Sequence, residues 1–305
     1  MFYECVMPLN SFYPQLPDTV ITENKPLSQF STLGTGGTAE FFAQPESLSQ
    51  LQELIVNAEN NFPVYVIGGG SNVIIPDGKI HGLAISTRKL DAITWIDGKT
   101  AEIESGFLLS QLVKILREKN IGGLEFSAGI PGTLGGAFSG NAGAGGHGVC
   151  EFIECVKAVD SSGNLVTFRR GEFEYSYRRC SLSGVIISSV IMSFSDCPSW
   201  NEESYSNFML KRKSQPLNFR SAGCTFKNPE GHSAGKLLDE CGCKGLRLGG
   251  AAVSEKHANF IINCGNATSS DVLGLSEMCA KRVYDCTGIR LEPEIKTLSP
   301  CFNVS

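Results

Sequence analysis

Residues 62–72 read FPVYVIGGGSN, and this stretch decides the fold class. Its first half, from Val64 to Ile67, holds only β-branched and aromatic residues, which favour a buried strand, and the strand runs directly into three glycines. The preceding residues 45–61, PESLSQLQELIVNAENN, place leucines at helical spacing. The sequence therefore predicts a surface helix, a buried strand and a tight glycine loop in succession.

Glycine is also concentrated in two further stretches, residues 32–41 (TLGTGGTAEF) and 126–148 (FSAGIPGTLGGAFSGNAGAGGHG). Without Cβ atoms, successive backbone N–H groups can converge on an anion, and neighbouring Ser, Thr and Asn side chains add donors. Three such loops favour a site that wraps a pyrophosphate, with tight turns alone as the alternative. Gly143, Gly145 and Gly148 also spell G-x-G-x-x-G, but no predicted strand leads into them, which disfavours a Rossmann site.

Composition and charge exclude several classes of protein. The chain has 305 residues, 42% of them hydrophobic, which is enough for two domains. The net charge of −5 and the lack of a basic stretch argue against a nucleic-acid partner. The longest apolar run, residues 184–194, is about half of what a membrane helix needs, and no secretory signal precedes it, so a cytoplasmic protein is predicted. The twelve cysteines are scattered without zinc-site spacing, which favours reduced thiols and no metal.

The chain is predicted to divide near Pro198, where SDCPSW interrupts the pattern. Before it, the pattern predicts strands near residues 83–86, 92–95, 101–104, 165–168 and 185–194, and a second helix that ends at the glycines after Asn120. After it, helices are predicted at 202–214, 235–241 and 269–286, and strands at 260–263 and 294–298. The predicted organisation is an N-terminal arm (1–23), a first domain (24–197), a smaller α+β domain (198–298) whose last strand can return to the first domain, and a tail (299–305).

Four polar stretches complete a pattern that a known family shares: SYRRCS, SAGCTFKNP, SEKHANF and LEPEI. Taken singly, each has an ordinary explanation, such as a surface ion pair or a buried thiol. In order along the chain with the glycine loops, they closely resemble the UDP-N-acetylenolpyruvoylglucosamine reductase (MurB) family over about residues 24–298, in its compact type II form. GIPGTLGGA, AGCTFKNP and SEKHANF are specific to that family, whereas GGGSN is shared with a wider set of FAD enzymes.

The resemblance implies an α+β fold in which an FAD-binding PCMH/vanillyl-alcohol-oxidase-like domain precedes a smaller MurB-type substrate domain. It implies a monomeric enzyme that uses FAD and NADPH to reduce UDP-N-acetylglucosamine enolpyruvate to UDP-N-acetylmuramate for peptidoglycan synthesis. The residues that it assigns to FAD lie in the three glycine loops: Gly34, Gly36, Gly37, Gly68, Gly69, Gly70, Ser71, Asn72, Gly129, Ile130, Pro131, Gly132, Thr133, Gly135, Gly136, Asn141, Ala142 and Gly143.

The charge flow of this reaction explains the residue types at the site. Negative charge builds on the enolpyruvyl carboxylate, which suits an arginine, and the α-carbon then needs a proton. By resemblance, Arg178 and Glu294 polarise the carboxylate, and Glu294 has to be protonated to donate, which implies a raised pKa. Cys224 takes the position of the proton donor. Weaker candidates for substrate contacts are Tyr177, Lys211, Gln215, Lys227, Asn228 and His257, with His257 near the flavin or nicotinamide.

The commonest family pattern has serine where this chain has Cys224. A thiol with an ordinary pKa of about 8.5 is a stronger acid than an alcohol, so it can still donate. A nearby cation, Arg178 or Lys227, would favour the thiolate and remove the proton that the reaction needs. The donor role therefore depends on which of these surroundings dominates.

Two other functions stay open on the sequence alone. An FAD-linked oxidase of the vanillyl-alcohol-oxidase type shares the flavin fold but does not need AGCTFKNP or SEKHANF. A non-catalytic, cysteine-rich metal- or nucleotide-binding protein has no reason to keep Arg178, an acid at position 224 and Glu294 together.

Overall fold

The computed structural model describes residues 21–58 and 62–302. Most of the predicted N-terminal arm, residues 1–20, and the end of the tail, residues 303–305, lie outside these ranges. The first strand begins at Ile21, inside the predicted arm, and pairs with the next strand of the sheet.

The described ranges contain six α-helices and nineteen short or long strands. The helices are α1 (Leu48–Ala58), α2 (Leu109–Glu118), α3 (Leu134–Ser139), α4 (Glu202–Lys213), α5 (Ala234–Glu240) and α6 (Ser269–Thr287). The strands are β1 (Ile21–Pro26), β2 (Thr38–Ala43), β3 (Val64–Ile67), β4 (Val73–Ile74), β5 (Lys79–Ser86), β6 (Ile93–Trp95), β7 (Thr100–Glu104), β8 (Gly143–Ala144), β9 (His147–Gly148), β10 (Ile153–Val159), β11 (Leu165–Arg169), β12 (Tyr175–Ser176), β13 (Arg179–Cys180), β14 (Ile186–Ser193), β15 (Arg220–Ser221), β16 (Arg247–Leu248), β17 (Ala251–Val253), β18 (Ile261–Asn263) and β19 (Lys296–Thr297).

The first sheet has the order β1-β2-β5-β3, and its last three strands are parallel. The predicted strand of the opening stretch is confirmed as β3, and the three glycines follow it directly. Helix α1 packs its apolar side, with Leu51, Leu54 and Ile55, into the core of this sheet. Each of these leucines is fully buried, which stabilises the fold by roughly 1.5–3 kcal/mol per side chain.

The second sheet is antiparallel, in the order β11-β10-β14-β7-β6. Four of its strands match predicted runs, whereas β10 was not predicted and takes an interior position. Helix α2 buries Leu109, Leu112 and Leu116 in the same core. It stops where the sequence predicted, since Asn120 adopts a left-handed conformation with φ +56°.

The third sheet, β15-β18-β17-β16, shares a core with α5 and α6 in the last third of the chain. Helix α6 begins at a capping box between Thr268 and Asp271. Helix α4 packs differently, because Tyr205 and Phe208 contact the core of the second sheet. Helix α4, which follows the predicted division near Pro198, therefore packs against the preceding domain.

The end of the chain returns to the first part of the molecule. Strand β19 pairs in parallel with β4, directly after the glycine loop of the opening stretch. Beyond it, Phe302 bridges to Val64 at the start of β3. The G-x-G-x-x-G residues form the small hairpin β8–β9 instead of a strand-to-helix turn. Nowhere in the described part of the chain is a helix both long and apolar enough to span a membrane.

Candidate active site

The glycine loops after β3 and before α3 lie against each other. A Cβ atom on Gly69 would stand 2.5 Å from Cα of Gly132, and one on Gly68 would stand 2.6 Å from Oγ1 of Thr133. These distances are shorter than side chains tolerate, so glycine is required for the two backbones to approach. The structure thus brings these two loops together, and Thr32, at the start of the third glycine stretch, donates through its N–H to the carbonyl of Gly70 at 3.0 Å.

Arg88 fixes the orientation of the first loop, a role that the sequence did not reveal. Its guanidinium donates to the carbonyl oxygens of Gly68 (3.2 Å) and Gly69 (2.7 Å). Within residues 21–58 and 62–302, no protein acceptor meets the N–H groups of Gly69, Gly132 or Thr133. With carbonyls held on one side and free N–H groups remaining, the paired loops have the donors that a phosphate needs.

Buried hydroxyl groups beside these loops also lack partners. Ser127 Oγ and Thr133 Oγ1 are buried and have no hydrogen-bond partner among the residues that the structure describes. Thr133 precedes the first turn of α3, yet its side chain makes no capping hydrogen bond. Leaving a buried hydroxyl unpaired costs about 1–3 kcal/mol, so these atoms fit a bound polar group, and the loops fit the diphosphate of FAD.

Other predicted cofactor residues make their contacts within the protein. A Cβ atom on Gly37 would fall 1.7 Å from the carbonyl oxygen of Gly78, so the glycine loop at residues 34–37 packs tightly against the turn before β5. Asn141 donates to the carbonyl of Ser176 and accepts from the N–H of Cys150. Gly143 lies in the hairpin β8–β9.

Arg178 sits at the tip of the hairpin β12–β13. Its backbone is left-handed, with φ +57°, which costs a residue other than glycine about 1 kcal/mol. The conformation points its guanidinium inward, where Nε donates to Oε1 of Glu294 at 2.6 Å. The ring of Tyr177 lies 5.1 Å from the guanidinium, although Tyr177 itself is 53% exposed. Strained backbone conformations of this kind concentrate at functional sites.

Cys224 and Glu294 are neighbours because two distant segments pair. Phe226 and Pro293 form an antiparallel bridge, and the N–H of Glu294 donates to the carbonyl of Thr225 at 2.8 Å. Asn259 clamps this pairing, since its side chain accepts from the N–H of Phe226 and donates to the carbonyl of the same residue. Asn259 lies in the SEKHANF stretch, where the resemblance pointed to His257 instead.

The Glu294 segment also joins the glycine loop of the opening stretch. The side chain of Asn72 donates to the carbonyl of Glu294 at 3.2 Å, and the N–H of Lys296 donates to the carbonyl of Asn72. The predicted cofactor loop is therefore in direct contact with the backbone of Glu294.

The protonation states at the centre are set mainly by burial. Burial raises the pKa of Cys224 to about 11; the Glu294 carboxylate adds to the increase, and Arg178 and Arg212 oppose it. Burial likewise raises the pKa of Glu294, against the three cations Arg178, Lys227 and Arg212. The thiol therefore keeps its proton at neutral pH, in answer to the question that the sequence left open.

Arg212 is a further member of this centre that the sequence did not identify. It stands in the run KRK, where nothing distinguishes it from Lys211 and Lys213. In the structure it is half-buried, donates to the carbonyl of Ala128 and to Oε1 of Gln215, and acts electrostatically on Cys224. Its position follows from the packing of α4, which turns one face of that helix toward the site.

A cavity of about 560 Å³ opens beside Arg178, and five of its twelve lining residues are cationic, whereas one, Glu292, is acidic and pairs with Lys227. Of the predicted substrate residues, Tyr177, Lys227 and Asn228 line it. Three further cations that the sequence did not single out, Arg179, Arg290 and Lys296, also line it. A wall of this charge suits an anionic ligand such as a nucleoside diphosphate.

The remaining predicted substrate residues lie outside this cavity. Lys211 is exposed, with Nζ 5.3 Å from the ring centroid of Phe208. The side-chain oxygen of Gln215 accepts a hydrogen bond from Arg212. His257 accepts a hydrogen bond from the N–H of Asn259 on Nδ1, and burial lowers its pKa, so the ring is neutral. His257 thereby holds the turn at Asn259, whose side chain hydrogen-bonds to the backbone of Phe226.

Comparison with known proteins gives the class first. Residues 39–169 match the family model described as "FAD binding domain", and residues 215–298 match the one described as "UDP-N-acetylenolpyruvoylglucosamine reductase, C-terminal domain". The protein is therefore an FAD-dependent oxidoreductase with a mixed α+β fold. The second match covers the AGCTFKNP and SEKHANF stretches, which the oxidase and non-catalytic alternatives do not need.

Relatives along the whole chain give the particular family. UDP-N-acetylenolpyruvoylglucosamine reductase of Syntrophus aciditrophicus is 37% identical over 281 residues, 89% of this chain and 90% of the relative. The protein of the same name from Caldicellulosiruptor bescii is 39% identical over 90% of this chain and 89% of its own length. The solved MurB structure from Thermus caldophilus superposes with a TM-score of 0.76 at 32% identity, covering 92% of this chain and 99% of that one. The chain belongs to the UDP-N-acetylenolpyruvoylglucosamine reductase family.

Proposed function

We propose that this protein reduces UDP-N-acetylglucosamine enolpyruvate to UDP-N-acetylmuramate, with NADPH as the reductant, as a cytoplasmic monomer that serves peptidoglycan synthesis. The observation that carries the proposal is the hydrogen bond between Arg178 and Glu294 beside Cys224. The chain belongs to the reductase family, and the backbone of its Glu294 contacts the glycine loop that follows β3. Bound FAD supplies hydride transfer between NADPH and the enolpyruvyl group.

Binding and orientation of the substrate fall to the cationic cavity. Lys227, Arg290 and Lys296 line it and attract the diphosphate of the nucleotide sugar. Arg178 reaches from this cavity to Glu294, so an enolpyruvyl carboxylate placed there meets a charged donor. The charge that develops on that carboxylate during reduction is stabilised by a donor that is already in place.

Glu294 and Cys224 handle protons in this proposal. The raised pKa of Glu294 favours the protonated carboxyl group, in which Oε1 accepts from Arg178 and the other oxygen donates a hydrogen bond to the substrate carboxylate. Cys224 keeps its proton because its pKa is raised to about 11, and it delivers that proton to the α-carbon. Arg212 supports the proton transfer from Cys224 by balancing the charge left on the thiolate.

The test is consumption of NADPH by the purified, FAD-loaded protein. Absorbance at the NADPH band should fall only when UDP-N-acetylglucosamine enolpyruvate is added, and mass spectrometry should find UDP-N-acetylmuramate. Rapid NADPH consumption with O2 alone, without dependence on the nucleotide sugar, would contradict the proposal. Light scattering after size-exclusion chromatography tests the monomeric state.

A further inference from the structure

The cavity beside Arg178 carries more positive charge than its acids neutralise. Of its five cations, Arg178 and Lys227 each pair with a glutamate. Among the residues that the structure describes, no carboxylate lies within ion-pair distance of the other three. These unpaired cations are Arg179, Arg290 and Lys296.

Arg290 is held in place by the end of α6. The helix stops at Gly288, whose backbone is left-handed (φ +74°), and the N–H of Gly288 donates to the carbonyl of Tyr284. After this turn the guanidinium of Arg290 lies 5.0 Å from the centre of the Tyr284 ring. Arg290 is exposed, so the ring limits the orientations of a side chain that would otherwise move freely. A guanidinium that is already oriented loses less entropy when it binds an anion.

Arg179 lines the same cavity from the first domain. It belongs to β13 and lies opposite Ser176 of β12 in the hairpin. The two unpaired arginines of the cavity therefore come from segments that are far apart in the chain.

We propose that Arg290 and Arg179 bind the 2′-phosphate of NADPH and thereby make the protein select NADPH over NADH. This inference rests on the proposed function, in which NADPH is the reductant. The two dinucleotides differ only in this phosphate monoester, a group that carries about −1.5 to −2 charges at pH 7. Arginine suits it, because the planar guanidinium donates two parallel hydrogen bonds to phosphate oxygens.

The charge of the cavity indicates that NADPH binds there. The G-x-G-x-x-G residues form the hairpin β8–β9 instead of a dinucleotide site. A second cavity, of about 580 Å³, has a single cation, Arg220, among its lining residues. NADPH brings a diphosphate and a phosphate monoester, and the cavity with five cations matches that charge better. The two nucleotides then occupy this cavity in turn, so Arg290 attracts the sugar diphosphate in one half of the cycle and holds the 2′-phosphate in the other.

The lysines of the cavity are less suited to this selection. Lys227 pairs with Glu292, and Nζ of Lys296 donates to the carbonyl of Ser139 at 3.4 Å. A lysine also acts as a point charge without a fork of donors, so it distinguishes a monoester from a diphosphate less well.

The first experiment measures binding to the oxidised, FAD-loaded protein by calorimetry and needs no turnover. Its probes are adenosine 2′,5′-bisphosphate and adenosine 5′-monophosphate, which differ by the 2′-phosphate alone. We expect wild type to bind the bisphosphate at least tenfold more tightly, and Arg290→Gln and Arg179→Gln each to reduce this preference by about tenfold. Arg220→Gln, at the second cavity, is the matched control and should keep the preference.

The second experiment follows bleaching of the flavin by NADPH and by NADH in stopped flow, without the nucleotide sugar. In Arg290→Gln the preference for NADPH should fall by about tenfold through weaker binding of NADPH, whereas binding of NADH stays unchanged. Arg290→Lys keeps the charge and loses the fork, so it should retain only part of the preference.

Four outcomes would overturn the proposal. Wild type could bind the two adenosine phosphates equally, or its preference could survive both Arg290→Gln and Arg179→Gln. A loss of preference in Arg220→Gln alone would place the 2′-phosphate in the second cavity. Equal weakening of NADPH and NADH in Arg290→Gln would assign this residue to the diphosphate. Failure of both dinucleotides to bleach the flavin would instead count against the proposed function, because binding of the bisphosphate is measured independently.

Discussion

Replacing Cys224 by alanine removes the proposed proton donor and tests the reaction at its last step. With a pKa of about 11, only about one Cys224 thiol in a thousand is ionised at pH 8, so the wild-type donor is fully protonated. The variant should therefore lose the whole contribution of general acid catalysis, about 10²–10⁴-fold. Hydride transfer from NADPH does not need this proton and should keep its rate.

Stopped-flow absorbance separates the two halves of the cycle. The flavin band should bleach at the wild-type rate when Cys224→Ala is mixed with NADPH, and should return about 10²–10⁴-fold more slowly when the nucleotide sugar is added. Cys224→Ser is the matched control, because it keeps a hydroxyl donor of similar size and should retain substantial activity. If Cys224→Ala reoxidised with substrate as fast as wild type, the donor role would be wrong.

Further predictions concern the acid, the thiol and the glycine loops. Iodoacetamide should alkylate Cys224 at pH 8 roughly two hundredfold more slowly than a thiol of pKa about 8.5, and bound substrate should protect both Cys224 and activity; fast labelling of that peptide in mass spectra would contradict the raised pKa. The raised pKa of Glu294 means that its protonated form is lost as pH rises through that pKa, so kcat/KM should fall there, and Glu294→Gln should remove this limb of the pH profile; an unchanged limb would assign it to another group. Thr133→Val should weaken FAD binding by about tenfold, as judged from the fluorescence of released flavin, because one hydrogen bond is lost. Arg88→Ala should weaken it at least as much while substrate affinity of the loaded enzyme is kept, and unchanged FAD affinity would mean that the carbonyls of the loop need no anchor.

The sequence predicted most regular elements because their signals are local. Apolar spacing found α1 and α2, and β-branched runs found β3 and β14. Strand β10 was not predicted, because Glu154, Cys155 and Lys157 interrupt its apolar residues. It forms a strand because it pairs with neighbouring strands on both sides in the sheet. Helix α3 was not predicted either, because glycine is a poor helix former and two of the six residues of this helix are glycine.

The motifs by themselves determined the family, the need for FAD, and the residue types Arg178, Cys224 and Glu294, because each of these is written in a short contiguous stretch. Only the tertiary structure decided which residues complete the centre. Arg212 and Arg88 occur in stretches where other cations are equally plausible, and their roles arise from contacts with Ala128 and Gly69, far away in the chain. The same holds for acidity, since burial rather than sequence keeps the proton on Cys224 and raises the pKa of Glu294. A pKa depends on the charges and the solvent around a group, and those exist only after the chain has packed.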